Sequence, residues 1–143
     1  MNLEGLLNNK MIESIETDDK LVKKSVNSAS RDLKTAKVVL ENENYDWSLA
    51  IAYNAMLQAG RALMFSRGYR PVGEYKHVAV VEFVHSEFGK EITNNMVDIF
   101  NRLRKKRHKV IYEEVDIVTP SEAENAIKFA EEFVNKVKSI LKI

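Results

Sequence analysis

Residues 102–109 read Arg-Leu-Arg-Lys-Lys-Arg-His-Lys, six cations and one histidine within eight positions of a chain whose formal net charge is only +1. Charge this concentrated repels itself and destabilises its surroundings unless something anionic offsets it. The histidine adds the side chain that gives and takes a proton near neutral pH. Phosphate is the anion such a set suits, and RNA is the polymer that carries it. If this segment is helical, at about 100° per residue, Arg104, His108 and Tyr112 fall at i, i+4 and i+8 and share a face with Asn101. An arginine, a histidine and a tyrosine in one row can bind a phosphate, transfer a proton and stack on a base. Lys105, Lys106, Arg107 and Lys109 are further candidates for phosphate contacts. The same run also fits a solvated, lysine-rich helix face, and the residues alone leave both open.

Two other features are out of place in an ordinary core. Arg107 falls among Phe100, Val110 and Ile111, where an apolar residue is the rule. A cation there must be paired, snorkel to water or face a second subunit. Asn54, Gln58 and Arg61, at i, i+4 and i+7, form a polar stripe on an alanine-rich segment; they are candidates for an interface or for a buried polar network. The other histidines, His77 and His85, fit surface or capping positions, and their spacing matches no zinc-binding helix motif. No glycine-rich phosphate loop, nucleophile elbow or paired-carboxylate constellation is present. With no cysteine in the chain, disulfides, thiolate metal sites and cysteine nucleophiles are excluded. Neither a metal nor a cofactor is expected.

The elements that must position these residues are helices. The 143 residues carry 45% hydrophobic and 30% charged side chains, with 22 basic groups nearly cancelled by 21 acidic ones. That is the balance of one globular domain with a local anion site rather than a broad electropositive field. No signal peptide or membrane-spanning run is apparent, so a cytoplasmic location is expected. Five glycines and two prolines punctuate long stretches of helical periodicity. A short amphipathic piece is expected over residues 3–15, then a helix over 20–43 burying Leu21, Val22, Val26, Ala29, Leu33, Ala36, Val39 and Leu40. A third helix, 47–67, would be capped by Asp46 and stopped by Gly68. Residues 70–73 suggest a loop, 77–88 a fourth helix and 91–113 a fifth, with Ile92, Met96, Ile99, Phe100, Leu103, Val110 and Ile111 facing the core. Thr119-Pro120-Ser121-Glu122 combines an N-cap, a first-turn proline and a capping-box glutamate, opening a sixth. The expected architecture is an all-α, up-and-down bundle of five or six helices without a sheet, its two longest central helices antiparallel.

A bundle with an arginine–histidine motif late in the chain resembles the HEPN domains of prokaryotes. The likeness extends to Tyr45-Asp46-Trp47, Ala52-Tyr53-Asn54-Ala55-Met56, Ala59-Gly60-Arg61-Ala62-Leu63, Gly68-Tyr69-Arg70-Pro71 and His77, covering residues 20–140 or so. The resemblance implies a metal-independent ribonuclease working as a homodimer, its motif helices meeting at a two-fold axis. It also implies a toxin whose antitoxin partner is of nucleotidyltransferase type. The alternative is a module that has lost activity and binds RNA, a nucleotide or a protein partner. The motif carries over as Arg102 and His108, with Leu103 where a polar residue is commoner. Arg102 lies about 120° around a helix from His108, whereas Arg104 faces it from one turn away. His108 is thus the expected acid–base residue, with Arg102 or Arg104 stabilising phosphorane charge.

Overall fold

The computed structural model describes residues 1–143 and contains six helices and two short strands. In chain order these are α1 (Leu3–Asn8), β1 (Ile12–Ser14), α2 (Asp19–Glu41), α3 (Tyr45–Ser66), β2 (Tyr69–Pro71), α4 (Lys76–Glu87), α5 (Asn94–Tyr112) and α6 (Pro120–Leu141). Helix α3 is the axis of the molecule. Its alanines and Gly60 are small enough for neighbours to approach from every side, and it packs on α2, α4, α5 and α6. Helices α2 and α3 run antiparallel. Ser48 Oγ near the start of α3 donates to the Ala36 carbonyl, Asn54 reaches back to Asp32, and Ala62 and Phe65 meet Val22 and Val26.

On the opposite side, Tyr53 of α3, Phe100 of α5 and Phe133 of α6 form a tilted aromatic stack. Their centroids lie 5.9 Å (Tyr53–Phe100) and 5.1 Å (Phe100–Phe133) apart, in the range where aromatic pairs attract beyond simple burial. Helix α4 rides close to α3 because position 60 is glycine. A β-carbon there would come within 2.6 Å of Val80 Cγ1.

Several local expectations give way. The 3–15 piece is a helix only to Asn8, and residues 12–14 pair antiparallel with 69–71, Ile12 opposite Pro71 and Ser14 opposite Tyr69. A two-stranded ladder therefore stands where no sheet was expected, and the first half of the expected 70–73 loop belongs to its second strand. Pro71 is tolerated because a two-stranded ladder has only edges. Helix α3 begins earlier than residue 47, with Asn44 rather than Asp46 as its cap. Asp46 works elsewhere: its carboxylate accepts from the backbone N–H of Asp116 at 2.6 Å and of Val118 at 3.1 Å. It thereby clamps the connection between α5 and α6 onto the start of α3. The capping box at Thr119 and Glu122 forms as the residue types indicate, and Gly68 takes a positive φ of 81° just past α3. In α5 the buried residues are Val97, Ile99, Phe100 and Val110, while Met96 and Leu103 are only partly buried. No helix is long and apolar enough to cross a membrane.

Candidate phosphate-binding site

Helix α5 presents the basic run to two different surroundings. Arg104, Arg107, His108 and Tyr112 line one side of a cleft of about 580 Å³, and the start of α4 lines the other. Across the cleft stand Tyr75, Lys76 and His77, with Glu74 at the rim. Arg104 is steadied within α5 by donating from Nε to Asn101 Oδ1 at 3.0 Å. The rings of His108 and Tyr112 lie 4.8 Å apart, one helical turn separating them. Tyr75 and Tyr112 expose 63% and 68% of their surface, so two aromatic faces border the cations.

The structure divides the sequence candidates. Arg102 lies on the far side of α5, lining a separate hollow with Lys106 and Glu122 against α6. Lys106 Nζ is 3.3 Å from Glu122 Oε2, so its charge is already partnered. The Glu122 carboxyl is held below the usual carboxylate range, first by the backbone N–H of Thr119 and then by Lys106. Lys105 and Lys109 are exposed and line neither hollow. Arg107 is half-buried, its guanidinium 6.0 Å from the Tyr53 ring centroid, and no carboxylate pairs with it; the chain's ion pairs lie elsewhere. Its reach extends to a second hollow lined by Trp47, Ile51 and Ile111.

The polar stripe on α3 also divides. Asn54 Nδ2 donates to Asp32 Oδ2 on α2 at 3.0 Å, a structural pairing that lines the same hollow as Arg107 and Ile111 and stays outside the cleft of His108. Burial raises the Asp32 pKa, and the Asn54 bond opposes that shift. Gln58 is half-buried. Arg61 packs over Phe65, with its Nε buried and unpartnered.

His77 is the residue whose place the sequence did not disclose. It neither caps α4, whose N-cap is Tyr75, nor lies free on the surface. It is half-buried, with Nδ1 3.0 Å from the hydroxyl of Tyr53 on α3 and the two rings tilted at 5.8 Å. Burial pushes its pKa below the ordinary histidine range, and Arg107, Arg104 and Arg61 push it the same way. Burial likewise raises the Tyr53 pKa, with Arg104 and Arg107 opposing. The cleft therefore has a lining of arginines and a neutral imidazole, backed by a buried phenol.

A cationic cleft on a helical bundle agrees with a family match over most of the chain: the model described as the HEPN domain covers residues 22–140. The chain belongs to the HEPN domain family. A protein of Methanocaldococcus jannaschii named "Putative toxin MJ0605" is 29% identical over 145 residues, an alignment covering 98% of each chain. The crystal structure of TT1696 from Thermus thermophilus superposes with a TM-score of 0.66 at 18% identity, covering 82% of this chain and 96% of that one. At that identity the likeness establishes a shared fold. The HEPN match begins within α2, so α1 and the strand β1 lie outside it. The cleft lies wholly inside it.

Proposed function

We propose that this HEPN protein is a metal-independent endoribonuclease of toxin–antitoxin type that cleaves single-stranded RNA. The observation that carries this reading is the cleft itself, where His108 shares a wall with Arg104 and Arg107 and is bordered by the exposed rings of Tyr75 and Tyr112. RNA supplies its own nucleophile. The 2′-hydroxyl oxygen bonds to phosphorus as the P–O5′ bond breaks. His108 takes the 2′ proton or delivers one to the leaving O5′. Arg104 and Arg107 offset charge that grows on the non-bridging oxygens, while an exposed tyrosine gives an unpaired base a stacking surface. The name of the M. jannaschii relative supports the toxin assignment.

In this reading the chain acts as one cytoplasmic helical domain and as a homodimer. The second subunit supplies a second His108 for the other proton transfer. Trp47, 49% exposed, beside Ile51 and Ile111 is apolar surface adjoining the α3–α5 face on which such a dimer would form. A nucleotidyltransferase-type antitoxin would be the partner that silences it.

One observation favours a second reading, a non-catalytic module that binds RNA, a nucleotide or the nucleotidyltransferase. Arg102, the arginine at the family's spacing from His108, lies on the other side of α5. The decisive experiment is cleavage of a labelled single-stranded RNA by purified dimer in excess chelator, wild type against His108→Ala. General acid–base catalysis contributes about 10²–10⁴-fold, so the variant should lose at least a hundredfold while its circular dichroism is unchanged. Wild-type protein that cleaves no faster than His108→Ala establishes the module. Its RNA binding would then be weakened by salt and by neutralising Arg104 and Arg107, and indifferent to His108.

A further inference from the structure

The contact between Tyr53 and His77 determines where the imidazole carries its proton. Tyr53 is completely buried, and its hydroxyl has one partner, His77 Nδ1 at 3.0 Å. A buried hydroxyl needs an acceptor for its proton, and Nδ1 is the one within reach. Burial keeps the phenol protonated. A phenol that donates to Nδ1 leaves the single proton of a neutral imidazole on Nε2. Protonating both nitrogens would strand the buried hydroxyl and place a fourth cation beside Arg107, Arg104 and Arg61. Nε2 makes no hydrogen bond within the chain and is not a buried orphan. Its ring lines the cleft opposite Arg104 and Arg107.

We propose that Tyr53 and His77 form a tautomer-locked anion donor. His77 Nε2–H, with Arg104 and Arg107, grips the non-bridging oxygens of the phosphate on which His108 acts, and Tyr53 is the positioning residue behind it. The catalytic part rests on the ribonuclease reading; the phosphate grip does not. In the reaction His77 keeps its proton throughout. It donates a hydrogen bond to the oxygens whose charge grows as the 2′-oxygen adds and O5′ departs, while both proton transfers stay with His108 and its symmetry mate. A neutral donor suits this position. It adds a hydrogen bond to the phosphate without adding to the repulsion between two unpaired guanidiniums when the cleft is empty. The arrangement also gives a role to the tyrosine at the end of the aromatic stack, where phenylalanine would pack equally well but leave Nδ1 without a proton donor.

The test is long-range proton–nitrogen NMR of the imidazoles, with His77 assigned from a His77→Gln spectrum. The probes are inorganic phosphate and a single-stranded DNA oligonucleotide, which lacks the 2′-hydroxyl and cannot be cleaved. His77 should show the Nε2–H tautomer at pH 7, and its signals should move on adding either probe. Tyr53→Phe keeps the ring packing; it should mix the tautomers and weaken oligonucleotide binding about fivefold, the effect of one neutral hydrogen bond. In RNA cleavage the same variant should lower kcat more than it raises KM. His77→Gln, whose amide N–H stands near the position of Nε2, should retain more activity than His77→Ala. An Nδ1–H or doubly protonated His77 at pH 7, or signals unmoved by both probes, overturns the proposal. If wild-type protein cleaves RNA while those signals stay still, the ribonuclease reading survives and the grip fails. Movement of His77 in a protein that cleaves nothing supports the grip and removes the ribonuclease.

Discussion

Arg102 and Arg104 are two positions apart on one helix and face different chemistry. Arg104 shares the cleft with His108, whereas Arg102 sits across α5 beside Lys106 and Glu122. Removing a donor that stabilises transition-state charge costs about 10²–10³-fold. Arg104→Ala should therefore slow RNA cleavage by about a hundredfold, and Arg102→Ala by less than tenfold, measured with a labelled single-stranded substrate. A larger loss at Arg102 would return the motif role to it and exclude this cleft. The row of Arg104, His108 and Tyr112 was legible because helical phase depends only on spacing. The involvement of His77 was not. Its partner Tyr53 is 24 residues away on another helix, and no local pattern distinguishes a histidine facing a buried phenol from one facing water.

Helices and their ends were legible where local chemistry decides them. Thr119, Pro120 and Glu122 act within one turn of α6, so residue types alone locate its start, and Thr119→Ala should lower stability by about 1 kcal/mol. Asn44 and Asp46 are both good capping types two residues apart, and the sequence cannot say which is taken. The choice leaves Asp46 free to hold the backbone of Asp116 and Val118. Asp46→Ala should cost about 1.5–3 kcal/mol, the range for losing hydrogen bonds to a charged group, and speed amide exchange at Val118. Exchange that stays slow at Val118 would show the connection is held by something else. Strand β1 is not legible because three residues are too few to show an alternating pattern. At Gly60, where α4 lies against α3, Gly60→Ala should destabilise by about 1–3 kcal/mol through overpacking against Val80. Urea denaturation measures it; an unchanged midpoint would mean α4 can move away freely.

For the molecule as a whole, the neutral His77 has a consequence for stability. Its folded-state pKa is depressed, so at pH values just below the ordinary histidine pKa of about 6.5 the unfolded chain binds a proton that the folded chain refuses. Stability is complete above that pH and declines as pH falls toward the folded value. Glu122, also depressed, acts in the same direction at lower pH, while Asp32, raised, opposes it there. Between pH 7 and 5 the urea midpoint should therefore fall in wild type and fall less in His77→Gln. Parallel curves would show that His77 accepts its proton freely. The small number of cations in the cleft predicts a shallow salt dependence of RNA binding. With Arg104, Arg107 and Lys76 as the cleft's cations, only about two or three phosphates are neutralised, giving a log–log slope near −2 for a single strand.

The ladder between residues 12–14 and 69–71 joins parts of the chain nearly sixty residues apart. The α2–α3 pair can close early in folding because its contacts are near in sequence, whereas a pairing of this span must await the elements between its halves. The corner where α3 turns into α4, just before His77, is thus finished late. A chain caught before that closure would hold the α2–α3 pair but an unfinished corner, and the α4 side of the cleft would take its place only once residues 12–14 come back to lock it.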